Sequence, residues 1–214
     1  MRVTQRLFFQ GIIVSIILLY FIGKAFCSLQ GSVTKYKDSE VSQTSIQKLK
    51  QYDHLVRYFS NFSYFMPDHK VNADFVRALI LAESSVNHLA VSSKNALGLG
   101  QIILTTGQEA AQVLAQSNTQ FRYVSKKTLR NFKRKHLFDP AVNILITCYL
   151  ISKYNAKFEG KLDLVVSAWN AGENTQSLKY GKHAPYRETE DLIGKVNAYY
   201  IYLLRNRVFP PYSR

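Results

Sequence analysis

Apolar side chains recur along most of this chain at the three- and four-residue spacing of helices, not at the alternating spacing of strands. In the run Phe75-Val76-Arg77-Ala78-Leu79-Ile80-Leu81-Ala82-Glu83-Ser84-Ser85, Val76, Leu79 and Ile80 lie seven, four and three residues before Glu83. A helix here brings a carboxyl group out of an apolar stripe, with Asn72 or Asp74 as its cap. Ile46, Leu49, Val56 and Phe59 define one face of an earlier helix that starts near Ser45 and ends in the polar cluster from Asn61 to Pro67. Asp139-Pro140 pairs a cap with a proline at the first helical position and opens an almost wholly apolar helix from Ala141 to Ile151, which should be central. Leu164 to Ala168 predicts another buried helix, closed by Trp169-Asn170-Ala171-Gly172. Thr189, Glu190 and Asp191 begin a last helix carrying Leu192, Val196, Tyr199 and Leu203, with Arg205 and Arg207 at its basic end. Between Ser84 and Ile102 the polar turn formers and the glycines Gly98 and Gly100 predict an irregular loop, after which Thr105 or Thr106 opens a helix through Leu114. The fold class is all-α, mainly helical, with at most a short hairpin whose place the pattern does not give.

The N-terminus follows another pattern. Arg2 and Arg6 precede an apolar run from Leu7 to Gly23, the arrangement of a signal peptide or an N-terminal membrane anchor. Both alternatives carry the rest of the chain across a membrane, so a periplasmic or cell-envelope location is expected, anchored to the inner membrane if the segment is retained. The predicted organisation is a signal or anchor over 1–27, a polar linker over 28–44, an accessory helix over 45–69 and one main domain over 70–207. The chain of 214 residues has a net charge of +14, and loss of residues 1–27 would leave +11, because Arg2, Arg6 and Lys24 go and no acid does. Such a field favours anionic partners. Export makes nucleic acid the weaker candidate and acidic wall polymers or lipid surfaces the stronger ones. The densest basic run, from Lys126 to His136, is either a solvated helix face or a binding surface.

Chemistry narrows the picture by exclusion. Two cysteines, Cys27 and Cys148, provide no disulfide framework and no papain-like nucleophile. His54, His69, His88, His136 and His183 are scattered without ligand spacing, so no metal is expected. No glycine-rich phosphate loop is present, and no cofactor is implied. Glu83 is the strongest candidate for catalysis, since burial raises a carboxyl pKa and prepares it to act as a general acid near neutrality. No Asp or Glu occurs from Ser84 through Gln108 to compete with it.

Three separated pieces carry a resemblance. Glu83-Ser84, the loop Ala96-Leu97-Gly98-Leu99-Gly100-Gln101 and the stretch Ala168-Trp169-Asn170-Ala171-Gly172 stand in the order and approximate spacing of lytic transglycosylases of the soluble-lytic-transglycosylase type. Asp139-Pro140 with Asn143-Ile144, and Pro185-Tyr186-Arg187-Glu188-Thr189, resemble the family's later signatures. The resemblance covers about residues 70 to 205. It implies a lysozyme-like α fold that cleaves the β-1,4 bond between N-acetylmuramic acid and N-acetylglucosamine in peptidoglycan. One glutamate, here Glu83, would act as acid and then base, and the muramic C6 hydroxyl would attack C1 to give a 1,6-anhydro end. A goose-type hydrolytic lysozyme and a non-cleaving glycan-binding scaffold are the alternatives. Local opening of the wall for a secretion or conjugation apparatus is the role that the family analogy suggests.

Carried across by residue, Ser84 would sit beside the acid or simply bond to its helix. Gln101 and Asn170 would hydrogen-bond sugar amide or hydroxyl groups or else tie loops together. Trp169, where the family usually has tyrosine, would be a platform for a sugar face or a core residue. The chain departs from the family at Asn95, which stands for a glycine, and at Gly100, which stands for a methionine. Thr147 stands for a glycine, and Leu192 for a tyrosine close to the catalytic acid. Tyr186 or Tyr199 could supply the missing phenol from another position.

Overall fold

The computed structural model describes residues 29–210, so the predicted signal or anchor over 1–27 lies outside the described residues. Among those described, no helix is long and apolar enough to cross a membrane. The chain is mainly helical, as its periodicity predicts. Helix α1 comprises residues 29–36. It is followed by α2 (Gln43–Ser60), α3 (Ala73–Ser84), the strands β1 (Ala96–Leu97) and β2 (Ile102–Ile103), and α4 (Leu104–Gln116). Then come α5 (Lys126–Arg130), a 3-10 turn (Arg134–Phe138), α6 (Pro140–Phe158), α7 (Leu162–Ala171), α8 (Gln176–Lys179) and α9 (Arg187–Arg205).

Helix α6 is the axis of the core. Asp139 caps it by accepting from the backbone N–H groups of Ala141 and Val142, and Pro140 fills the first position. Residues from Val142 through Ser152 are all buried, so the helix has no solvent face along that stretch. Helices α2, α4 and α7 pack around it, while α9 covers α3 and α7. Asn72, not Asp74, caps α3, its side chain accepting from the N–H groups of Asp74 and Phe75. Asp74 and Asp53 instead bind Arg77, whose side chain is 2 % exposed, and this buried cation fastens α2 to α3. Removing the carboxylates would strand the Arg77 charge away from water, so the cluster fixes the register of the two helices.

Two local differences from the sequence pattern have clear causes. The stretch 28–44, read as a linker, contains α1, which packs on α9: Lys35 pairs with Asp191 at 3.1 Å, and the carbonyl of Ser32 lies against Gly194. Its ordering rests on one close helix crossing, which no internal apolar period reveals. The last helix begins at Arg187, and Thr189 does not cap it; this buried hydroxyl donates across to Asn170 Oδ1 at 2.6 Å. The short hairpin lies inside the irregular loop, with Ala96 opposite Ile103 and Leu97 opposite Ile102. A hairpin with two residues in each strand is too short to show alternation.

Candidate active site

The hairpin loop is held by one residue of α6. Asn143, wholly buried, accepts from the Gly100 N–H at 2.8 Å and donates to the carbonyls of Leu97 and Leu137 at 3.0 and 2.8 Å. A buried amide with these bonds satisfied is a rigid fixture, because leaving any of them open exposes a polar group to an apolar interior. The loop must approach closely to be held. A Cβ at Gly98, whose φ is +74°, would meet the Leu137 oxygen at 2.2 Å. A Cβ at Gly100 would meet Thr147 Oγ1 at 2.4 Å. The Thr147 side chain thus occupies the room that a side chain at position 100 would need. Asn95 takes the left-handed conformation, at φ 58°, that its residue type tolerates.

Glu83 sits in the last turn of α3, and the chain reverses at once through Ser85 and Val86, both at positive φ. Left-handed backbone at a β-branched residue such as Val86 is strained and is retained only where its surroundings enforce it. Val86 is 4 % exposed. The reversal lets Glu83 end its helix facing two adjoining clefts. One, of about 300 Å³, is lined by Glu83, Gln101, Thr106, Tyr154, Trp169, Asn170 and Glu188 among others. The second, of about 440 Å³, is lined by Glu83, Asn170, Arg187, Glu188, Asp191, Leu192 and Lys195 together with Ala82. A third, of about 570 Å³, shares Thr106, Leu150, Tyr154, Ala171 and Gly172 with the first and extends the groove past Glu173. Glu83 stands where the first two meet.

The electrostatics select this carboxyl group. Burial pushes the Glu83 pKa up from the usual 4.5 to about 7, aided by the negative Glu188 nearby. A hydrogen bond donated by the Trp169 indole, and the positive Lys195, pull it part of the way back. Glu188 behaves oppositely: the Lys94 ammonium beside it, and Asn170, hold it below the ordinary carboxylate range. Two carboxyl groups with pKa values driven apart in one groove are the pattern of an acid and a permanent anion. The arrangement can donate a proton near neutral pH to a long polar substrate lying across the junction.

The residues anticipated from sequence take different places. Gln101 and Asn170 line the clefts, yet both are also structural: Gln101 Nε2 donates to the Gly98 carbonyl at 2.9 Å, and Asn170 joins α7 to α9 through Thr189. Trp169 lines the first cleft, stands edge-on to Tyr154 at 6.4 Å between ring centroids, and contacts the acid through its N–H. Ser84 turns its hydroxyl onto the Ile80 carbonyl at 3.2 Å and is not among the cleft-lining residues. Tyr186 is 55 % exposed at the start of α9 and lines neither cleft beside Glu83, and Tyr199 lines neither. Leu192 does line the second. The phenol lining the first cleft is that of Tyr154, which sequence reasoning passed over. Its signal was its position four residues after Leu150 on the central helix, one turn along the same face. Lys94, Glu188 and Lys195 were also missed, because only packing between distant segments brings them to Glu83.

With the geometry established, comparisons place the chain among known proteins. Residues 61–192 match the family described as the transglycosylase SLT domain. A curated Haemophilus influenzae protein, provisionally named a soluble lytic murein transglycosylase, is 29% identical over 167 residues, which cover 72% of this chain and 26% of that protein. The chain thus spans about a quarter of the length of this relative. The 70 kDa soluble lytic transglycosylase of Escherichia coli has a similar fold, with a TM-score of 0.56 at 19% identity over 73% of this chain and 24% of that one. An inactive glutamate-to-glutamine mutant of lytic transglycosylase Slt from Pseudomonas aeruginosa gives a TM-score of 0.50 at 23% identity, covering 64% of this chain and 22% of the other.

Proposed function

The chain belongs to the transglycosylase SLT domain family, and on that premise we propose that it is a peptidoglycan lytic transglycosylase whose single acid–base catalyst is Glu83. The observation that carries this reading is the carboxyl group raised to about 7 at the junction of two clefts, with an indole N–H donated to it. A Glu83 that is protonated near neutral pH donates to the oxygen of the β-1,4 bond as that bond breaks. The resulting carboxylate accepts the Trp169 hydrogen bond and then takes the proton of the muramic C6 hydroxyl as this oxygen attacks C1. The product ends in 1,6-anhydro-N-acetylmuramic acid, and Glu83 regains its proton. Trp169 and the largely buried Tyr154 give the first cleft its aromatic lining, while Gln101 and Asn170 offer amides. The glutamate-to-glutamine mutant of the Pseudomonas aeruginosa relative is inactive, in keeping with an essential glutamate in that protein.

Glu188 favours a second reading, hydrolysis, since an ionised carboxylate lining both clefts could activate water. Its pairing with Lys94 and Asn170, however, lowers its pKa and so makes it a weak base. An exported location, and service to a secretion or conjugation apparatus, belong to the proposal through the family resemblance. Digestion of peptidoglycan sacculi with the wild-type protein and with Glu83→Gln, read by mass spectrometry, tests it. Anhydro-ended products lost in the variant are expected. Reducing ends would establish a hydrolase, and absence of product from the wild type would leave a glycan-binding scaffold.

A further inference from the structure

Gly194 lies in the interior of α9, where glycine weakens a helix relative to alanine. A close approach explains its presence: a Cβ there would lie 2.6 Å from the Ser32 carbonyl oxygen and 2.9 Å from Tyr36 Cδ2. Helix α1 is thus seated in a notch of α9. On either side of that notch the same segment grips charged residues. Lys35 donates to Asp191 at 3.1 Å, and the Tyr36 ring lies under Lys195 at 5.6 Å and under Lys35 at 4.7 Å. Asp191 and Lys195 both line the second cleft beside Glu83. Helix α1 lies outside residues 61–192, the part of the chain that matches the family.

We propose that α1 is a buttress behind the catalytic groove: Lys35 and Tyr36 are positioning residues that hold Asp191 and Lys195 toward the sugar unit bound in the second cleft. The inference rests on the reading of this groove as the glycan site. Free lysine and aspartate side chains on a helix surface sample many rotamers, and fixing each costs free energy that binding must otherwise supply. Clamping them in advance removes that cost from substrate binding. The ligand class is a neutral amino-sugar unit with hydroxyl and amide groups, which a fixed carboxylate and a fixed ammonium can both meet. The segment just after the N-terminal apolar run thereby supports two residues of the catalytic groove from outside it.

The test uses the full chain with Tyr36→Ala, Gly194→Ala, Lys35→Ala and Lys35→Arg. Hydrogen exchange over 29–36 reads docking, and steady-state kinetics on soluble uncross-linked glycan strands read function. NMR of the Glu83 carboxyl group reads the site itself. Trp169 on α7 and Glu188 and Lys195 on α9 are the polar groups that act on that carboxyl. The first two alanine variants should lose protection over 29–36 and raise KM about threefold or more, with kcat within about twofold. The Glu83 titration should also move upward, because Lys195, which lowers it, is released. Lys35→Ala should share the KM effect and Lys35→Arg should restore it. Gly194→Ala guards against misfolding as the explanation, since alanine strengthens the helix itself. Loss of protection with unchanged KM and unchanged Glu83 titration would overturn the inference, as would an unprotected 29–36 in the wild type. If the wild type cleaves no glycan, the proposed function falls, and the exchange and titration results still decide the role of α1.

Discussion

Replacing the catalytic candidate should stabilise the protein, and only above acidic pH. Glu83 titrates at the usual 4.5 when unfolded and at about 7 when folded, chiefly because folding buries it. Between those pH values the folded protein keeps a proton that the unfolded chain releases, so this residue's contribution to stability declines as pH rises through the window and is level above it. Each pKa unit corresponds to 1.36 kcal/mol, so the penalty at pH 8 is about 3 kcal/mol as an order of magnitude. Glutamine has no charge to bury and can still accept the Trp169 N–H. Glu83→Gln should therefore match the wild type near pH 4.5 and exceed it by about 3 kcal/mol at pH 8, a rise in Tm of roughly 6–12 °C for a chain of this size. Thermal melts of both proteins at the two pH values give the difference, in which the titration of all other groups cancels. A Tm difference that does not change with pH, or a variant less stable at pH 8, would show that Glu83 is not held in a desolvated site, and the acid–base assignment would lose its physical basis.

Two further predictions concern the acid's surroundings. Trp169→Phe removes the N–H donated to the Glu83 carboxylate, an interaction with a charged group worth about 1.5–3 kcal/mol, so the pH above which kcat/KM declines should move upward by about one to two units; a profile lowered equally at every pH would assign Trp169 to packing or sugar contact instead. Gly100→Ala should destabilise by about 1–3 kcal/mol through the clash with Thr147 Oγ1, and Thr147→Ala should recover most of that loss in a double-mutant cycle followed by denaturant unfolding; additive effects would show that the two positions do not share one space.

Much of the fold was legible because helices are written locally. The stripe before Glu83, the Asp139-Pro140 start and the apolar run of α6 each depend on neighbours within a few residues, and the boundaries that slipped, such as the start of α9, did so where a residue of capping type serves a distant partner instead. Glu83 could be singled out on the same ground, since a carboxyl group that ends an apolar stripe is a local feature. The sequence by itself thus determined an all-helical chain with one glutamate set to be desolvated. Tertiary structure alone decided the rest: that the Trp169 indole reaches that glutamate, that Gly100 and Thr147 fill one space, that Tyr154 and not Tyr186 faces the groove, and that α1 docks beside it. Those pairs come from segments far apart in the chain, and their meeting is set by how helices cross and how closely side chains fill the space between them, information that no local period contains.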